Sequence, residues 1–200
     1  MFKKTQLVLD LAGVLVSNLS PLFWRQIAEL AGNISCEQLK ERFKAELRED
    51  FWSGRMAEEE FWVWLVRICP NLDMEAARKL LNNNLIALPA IEHLAKWSKY
   101  ANIHLLSNHR VEWLRPLLSS IKPHIQSCTI SSEVGFCKPD IRIYEIVSSH
   151  INSRNPILFV DDQAKNFPPA TKLGWSTLQA DSLGNWIEEV NKIINGINNN

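Results

Sequence analysis

Five short apolar runs constrain this fold more than any other feature: Leu7–Leu9, Ile103–Leu106, Cys128–Ile130, Ile157–Val160 and Ser176–Leu178. Each is nearly continuous in apolar character, the texture of a strand covered on both faces of a parallel sheet. Helical patterns separate the later runs, at His109–Ser120, Asp140–His150, Gln163–Leu173 and Ser182–Ile194. Strand and helix in alternation predict a Rossmann-like α/β fold, a parallel sheet with helices on both faces. At 200 residues and 46% hydrophobic content, the chain can build one such core and a small second module.

The stretch from Pro21 to Leu88 departs from that order. It contains no strand pattern and predicts successive amphipathic helices at Pro21–Ala31, Cys36–Glu49, Ala57–Ile68 and Asp73–Asn84. Pro21 after Ser20 and Asp73 before "MEAA" are good helix starts. Trp24, Trp52, Trp62 and Trp64, with Trp97 just beyond, read as the core of a helical bundle rather than as ligand-stacking rings. The expected division is an α/β core over 1–17 and 89–200, with an all-helical insertion over 18–88. The polar end "NGINNN" is expected to fray.

Lys plus Arg equals Asp plus Glu at 22 each, so the formal net charge is zero. That argues against nucleic acid or an anionic membrane as the main partner, because either favours a basic face. Cys36, Cys69, Cys128 and Cys137 have no metal-binding spacing and read as free thiols of a reducing compartment. Asp10 interrupts the apolar run near the N-terminus, so that run reads as a strand and not as a signal peptide. No run reaches the roughly 20 residues of a membrane span. The expectation is a cytoplasmic protein; the sequence leaves its oligomeric state open.

Ligands of an open parallel sheet bind at the carboxyl ends of the strands, near the switch point of strand order. The residues that end the runs are Asp10, then Ser107 and Asn108, then Asp161 and Asp162, with Lys138 in the loop "SEVGFCKPD". Taken singly, each has an ordinary structural reading. A strand-end Asp is often a turn former, "SNH" and "DD" before helices are caps, and a lone Lys before Pro is usually solvated. Asn166 lies one helical turn beyond Asp162 and could be a supporting residue or plain surface. His109 and Arg55 could reach a substrate, with capping and a solvated loop as their plainer readings.

In this order, "LVLDLAGVLV", "IHLLSNHR", "GFCKPD" and "ILFVDDQAKN" resemble the four motifs of the haloacid dehalogenase (HAD) superfamily of hydrolases. The resemblance runs from Leu7 to about Trp175, and the helical stretch falls where that family carries a C1-type cap. It implies Asp10 as nucleophile, Lys138 as charge neutraliser, and Ser107 with the Asn108 backbone orienting phosphate. It also implies Mg²⁺ held by Asp10, the backbone carbonyl of Ala12 and Asp162, with Asp161 orienting Lys138 or a water. The reverse assignment of the two acids stays open.

The same chemistry follows from the residue types. A carboxylate that attacks phosphorus divides hydrolysis into two easier steps. Two anions approach only when a hard cation and a lysine offset their charge. The expected substrate is a small phosphorylated metabolite. The sequence departs from the family at Ala12, where a second aspartate commonly serves as general acid and base. Four readings follow: a substrate with a good leaving group, a substitute acid such as water, His109 or Glu58, halide displacement in place of phosphate chemistry, or a binding protein without catalysis. The acidic pair at 161–162 weighs against halide displacement, which needs no such charge.

Overall fold

The structure, a computed structural model, describes residues 4–151 and 154–196. β1 (Thr5–Leu9) leads into five helices: α1 (Leu22–Ala31), α2 (Cys36–Glu46), α3 (Arg48–Trp52), α4 (Glu58–Ile68) and α5 (Met74–Asn84). A 3₁₀ turn at Pro89–His93 and α6 (Leu94–Tyr100) return the chain to the sheet at β2 (Ala101–Ser107). Then follow α7 (Val111–Ile121), β3 (Ser127–Ile130), the short α8 (Ser131–Val134), α9 (Ile141–Ser149) and β4 (Ile157–Asp161). α10 (Phe167–Lys172), β5 (Ser176–Gln179) and α11 (Asn185–Gly196) complete the chain. The expected fraying of "NGINNN" falls largely on residues 197–200, outside the described residues; Asn195 and Gly196 belong to α11.

The five strands form one parallel sheet in the order β3-β2-β1-β4-β5. From β1 the chain builds outward to β2 and β3, then crosses back to β4 on the other side of β1. The switch point therefore lies at β1 and β4. Leu9 pairs with Val160, so Asp10 and Asp161 leave the sheet side by side.

Strand alternation assigns the core. Leu7, Leu9, Ile103 and Leu105 face α6 and α11, where Trp97 and Trp186 pack. Val8, Leu106 and Phe159 face α9, through Ile143, Tyr144 and Val147. Trp97 belongs to this sheet core, not to the helical cluster expected of it, and its indole donates to Asn191 Oδ1 at 2.9 Å. A third cluster fills the helical insertion, where Phe23, Phe43, Phe51, Phe61, Trp62 and Leu65 meet. Trp113 of α7 joins it, and its indole and that of Trp62 both donate to Glu58 Oε1, at 2.8 and 2.9 Å.

Four predicted helices begin or end elsewhere than expected, one of them that read as Ser182–Ile194, which runs from Asn185 to Gly196. The helix read as 36–49 stops at Glu46, and α3 begins after Leu47, whose backbone leaves helical geometry. The helix read from Gln163 starts at Phe167 because Pro168 and Pro169 can occupy only its first turn. The helix read from His109 starts at Val111. Neighbouring groups take the N–H groups that precede it: Ser131 Oγ accepts from His109 at 3.0 Å, and Ser132 Oγ accepts from Val111 at 3.0 Å. All four cysteines are free thiols, as expected, although Cys128 is exposed on the outer strand β3. No helix among the described residues is long and apolar enough to cross a membrane.

The insertion is tied to the sheet domain by directed bonds. Arg110 Nη1 donates to the carbonyls of Phe51 and Met56 at 3.0 and 2.8 Å, and Ser131 Oγ donates to the Trp52 carbonyl at 2.6 Å. Gly54 allows that approach. It has φ +77°, and a Cβ there would sit 2.0 Å from the Ser132 carbonyl oxygen. Gly54→Ala is expected to cost roughly 2–3 kcal/mol, from left-handed backbone strain and the backbone clash together. A urea midpoint close to that of the parent would show that the two units can separate at this loop.

His104 in β2 gives the stability an acid limit. Its ring bonds Ser127 Oγ at 2.7 Å and Gln6 Oε1 at 3.0 Å, and burial, reinforced by His150, pulls its pKa to about 4. Between pH 6.5 and 4 the unfolded chain carries a proton there that the folded chain refuses. The contribution of His104 to stability is therefore full above pH 6.5 and falls by up to about 1.4 kcal/mol per pH unit as pH drops through that window. His104→Gln is expected to flatten this slope in urea titrations. An unchanged slope would mean that His104 is protonated within the folded protein.

Candidate active site

Asp10 follows the central strand, buried at 3% exposure, with its N–H bonded to the Val160 carbonyl at 2.9 Å. Its Oδ1 accepts from the Leu11 N–H at 2.7 Å and from Ser107 Oγ at 2.8 Å. Its Oδ2 faces Lys138 Nζ at 2.8 Å, and the same ammonium lies 2.6 Å from Asp161 Oδ2. Lys138 is buried and not solvated, as a lone loop lysine would be. Burial works against its charge, but the two carboxylates outweigh that and hold its pKa above the ordinary lysine value. Burial pushes the Asp10 carboxyl up to about 6 against the pull of Lys138, and the Asp161 charge adds to the push.

Asp161 is saturated by protein donors. Oδ1 accepts from the Gln163 N–H at 2.8 Å, Oδ2 accepts from Lys138, and Asn166 Nδ2 lies 2.9 Å from both oxygens. Asp162 is more open. Its Oδ2 accepts from Asn18 Nδ2 at 3.0 Å, and Oδ1 has only a long 3.4 Å contact with Gln163. Gly13 gives this carboxylate its place. It has φ +81°, and a Cβ would lie 2.5 Å from Asp162 Cγ and Oδ2.

The residues suggested by the sequence converge with one adjustment. Ser107 donates to Asp10 and does not cap α7. The Asn108 side chain clamps the backbone of Lys138, donating to its carbonyl at 2.9 Å and accepting its N–H at 2.7 Å. Asn166 is buried, and its carbonyl accepts from Tyr144 OH at 2.6 Å. Glu58 is occupied by two indoles, and Arg55 pairs with Asp50 and Glu49 at 2.6 and 2.9 Å. Neither lines the cavity over Asp10. His109 does line it. Its Nδ1 lies 2.9 Å from the Arg110 N–H nitrogen and 3.2 Å from the Arg110 carbonyl oxygen, and burial pulls its pKa to about 4. It is therefore a neutral imidazole near pH 7, not a store of acid.

Oxygens of Asp10, Asp161 and Asp162 lie within 4.8 Å of one another. Three carboxylates against one lysine leave two negative charges, and an all-oxygen donor set suits a hard dication such as Mg²⁺. Asn166 Oδ1, buried and without a hydrogen-bond partner among the described residues, leaves an acceptor for a bound water or ion. The cavity above has a volume of about 180 Å³. Asp10, Ala12, Asn108 and Lys138 line it from the sheet side, and Phe23, Trp24, Phe43 and Trp52 from the insertion. Asn18, Arg48, Gln163 and Lys165 also line it; Gln163 and Lys165 fall within "ILFVDDQAKN", and no sequence motif marks Asn18 or Arg48.

At the switch point an aspartate is paired to a loop lysine that also binds a strand-end acid, beneath a helical insertion. The comparisons agree on the fold. No family model matches the chain. A D-ribitol-5-phosphate phosphatase from Bacteroides thetaiotaomicron is 26% identical over 74% of this chain and 77% of that one. A HAD family enzyme of the same organism superposes with a TM-score of 0.80 at 19% identity, covering 94% of this chain and 98% of that one. The same enzyme is known as a complex with magnesium and inorganic phosphate, which matches with a TM-score of 0.74 at 20% identity over 88% and 93% of the chains. A predicted HAD-like family hydrolase from Porphyromonas gingivalis matches with a TM-score of 0.75 at 22% identity over 97% and 98%.

Proposed function

We propose that this chain is a Mg²⁺-dependent phosphatase of a small phosphorylated metabolite, acting through an aspartyl phosphate on Asp10, with the helices from α1 to α5 as a C1-type cap. The observation that carries the reading is the buried Asp10–Lys138–Asp161 arrangement at the base of a cavity between the sheet and the insertion. The phosphatase relative and the magnesium and phosphate complex of the structural neighbour support it.

Ser107 and the Leu11 N–H fix the Asp10 rotamer through Oδ1. The carboxylate attacks phosphorus, the bond from phosphorus to the ester oxygen breaks, and the leaving oxygen takes the electron pair. Water then attacks the aspartyl phosphate, which releases inorganic phosphate and returns Asp10. Lys138, held by Asn108 and Asp161, offsets charge on the transferring group. Bound Mg²⁺ would supply Lewis-acid charge stabilisation, held by Asp10, Asp162 and the Ala12 carbonyl. Asp161 serves as the orienting acid, because protein donors already fill its lone pairs. The insertion excludes water from the intermediate.

Ala12 lines the cavity with a methyl group and can neither give nor take a proton. Glu58 is withdrawn as a substitute, since two indoles hold it away from the cavity. His109 offers a neutral imidazole. The reading therefore favours substrates with good leaving groups. Mg²⁺-dependent phosphate release from an acyl phosphate, a sugar 1-phosphate and an aryl phosphate tests it. No release from any of the three would favour the second reading that Ala12 suggests, a phosphate-binding protein without turnover. Ala12→Asp is expected to raise kcat for alkyl phosphates by about 10²-fold or more. An unchanged rate would show that protonation of the leaving group is not limiting.

A further inference from the structure

We propose that the substrate carries a second anionic group, a carboxylate or a second phosphate, held at the outer end of the cavity by Arg48 with Lys44 and Lys40. This rests on the phosphatase reading above and deepens it. Arg48 lines the catalytic cavity and also an adjoining groove, and the two share Ser20, Trp24, Phe43 and Trp52. Lys40 and Lys44 line that groove. The three cations recur at intervals of four residues along α2 and the start of α3, so the break at Leu47 leaves them on one side.

Their state of pairing separates them from their neighbours. Arg42 pairs with Glu46 at 3.4 Å, Arg67 with Glu46 at 3.5 Å, and Arg55 with Glu49 and Asp50. Lys40, Lys44 and Arg48 have no carboxylate within ion-pair distance among the described residues. Glu41 is the one acidic residue lining the groove, so two positive charges stand in excess there. The chain as a whole is neutral, so the excess is not a reflection of basic composition. Like charges four apart oppose a helix, and an anion between them reverses the sign.

The cavity thus has cationic groups toward both ends. Lys138, joined by the Mg²⁺ that the acidic cluster would hold, sits at the inner end, Arg48 sits at the outer, and Lys165 lines the cavity from the sheet side. Between the ends, Trp24, Phe43 and Trp52 present apolar surface suited to the carbon chain or the flat face of a sugar. A neutral polyol phosphate, the class named for the curated relative, would fill the inner end and leave Arg48 unmatched.

Matched substrate pairs test this with two readouts. Gluconate 6-phosphate against sorbitol 6-phosphate probes a carboxylate, and fructose 1,6-bisphosphate against fructose 6-phosphate probes a second phosphate. Binding is followed by tryptophan fluorescence in Asp10→Asn protein with Mg²⁺, and turnover as kcat/KM in the unaltered chain. In at least one pair, the member with the second anionic group is expected to bind about tenfold tighter at low ionic strength. That ratio is expected to fall about tenfold in Arg48→Gln/Lys44→Gln. A ratio below twofold for both pairs, or one unchanged in the double variant, overturns the proposal. Phosphate release without any preference does the same while sparing the phosphatase reading. Preferential binding without release from these alkyl phosphates supports the anion subsite, and overturns the phosphatase reading only if the acyl, sugar 1- and aryl phosphates also release nothing.

Discussion

Asp10→Asn is expected to lower phosphate release by about 10⁴-fold or more at saturating Mg²⁺ while the protein stays folded. An amide is a poor nucleophile, and nothing else lining the cavity can replace a carboxylate held by Ser107 and Leu11. The fold should tolerate the change. The new carbonyl oxygen can keep accepting from both donors, and one buried charge that already resists ionisation, with its pKa near 6, is removed. The new amide NH₂ faces Lys138 across 2.8 Å, donor against donor, which limits the gain. Stability within about 1 kcal/mol of the parent is expected. Release assays with thermal melts check both parts, and a variant that keeps a tenth of the parent rate would remove Asp10 from the nucleophile role.

Lys138→Met should be the most damaging single change to stability at the site. The ammonium lies 2.8 Å from Asp10 and 2.6 Å from Asp161, with its side chain only 1% exposed. Removing it leaves two buried carboxylates with no counter-charge, a loss of roughly 3–5 kcal/mol in metal-free buffer at pH 7.5. The deficit should narrow with acid. A carboxyl whose folded pKa is raised contributes most when protonated, and that contribution is lost as pH rises through the folded value. Lowering the pH from 7.5 to 5.5 is therefore expected to recover part of the deficit. Mg²⁺ should raise the variant's midpoint more than the parent's, because it supplies missing positive charge. Urea titrations at both pH values, with EDTA and with Mg²⁺, check this. A variant within 1 kcal/mol of the parent in EDTA at pH 7.5 would contradict the charge accounting.

Read alone, the sequence determined the sheet and the address of its site. Strands buried on both faces leave continuous apolar runs, and all five runs became strands within about two residues at each end. Because ligands gather at strand ends in such a sheet, Asp10, Ser107, Lys138 and the 161–162 pair could be collected before any geometry was known. Tertiary structure decided what those side chains do to one another. Ser107 and Asp10 are 97 positions apart, Asn108 and Lys138 are 30, and Asn18 and Asp162 are 144. No local pattern records such pairs, since a hydrogen-bond partner is chosen by how loops pack. For that reason "SNH" read as a cap, whereas Ser131 and Ser132 took that work and freed Ser107 for Asp10. Glu58 and Arg55 likewise lost their candidacy to indoles and acids that only packing brought near. The outer cations were invisible for the same reason. The three recur at intervals of four residues, and only packing brought Arg48 to the cavity over Asp10 and left Lys40 and Lys44 in the adjoining groove.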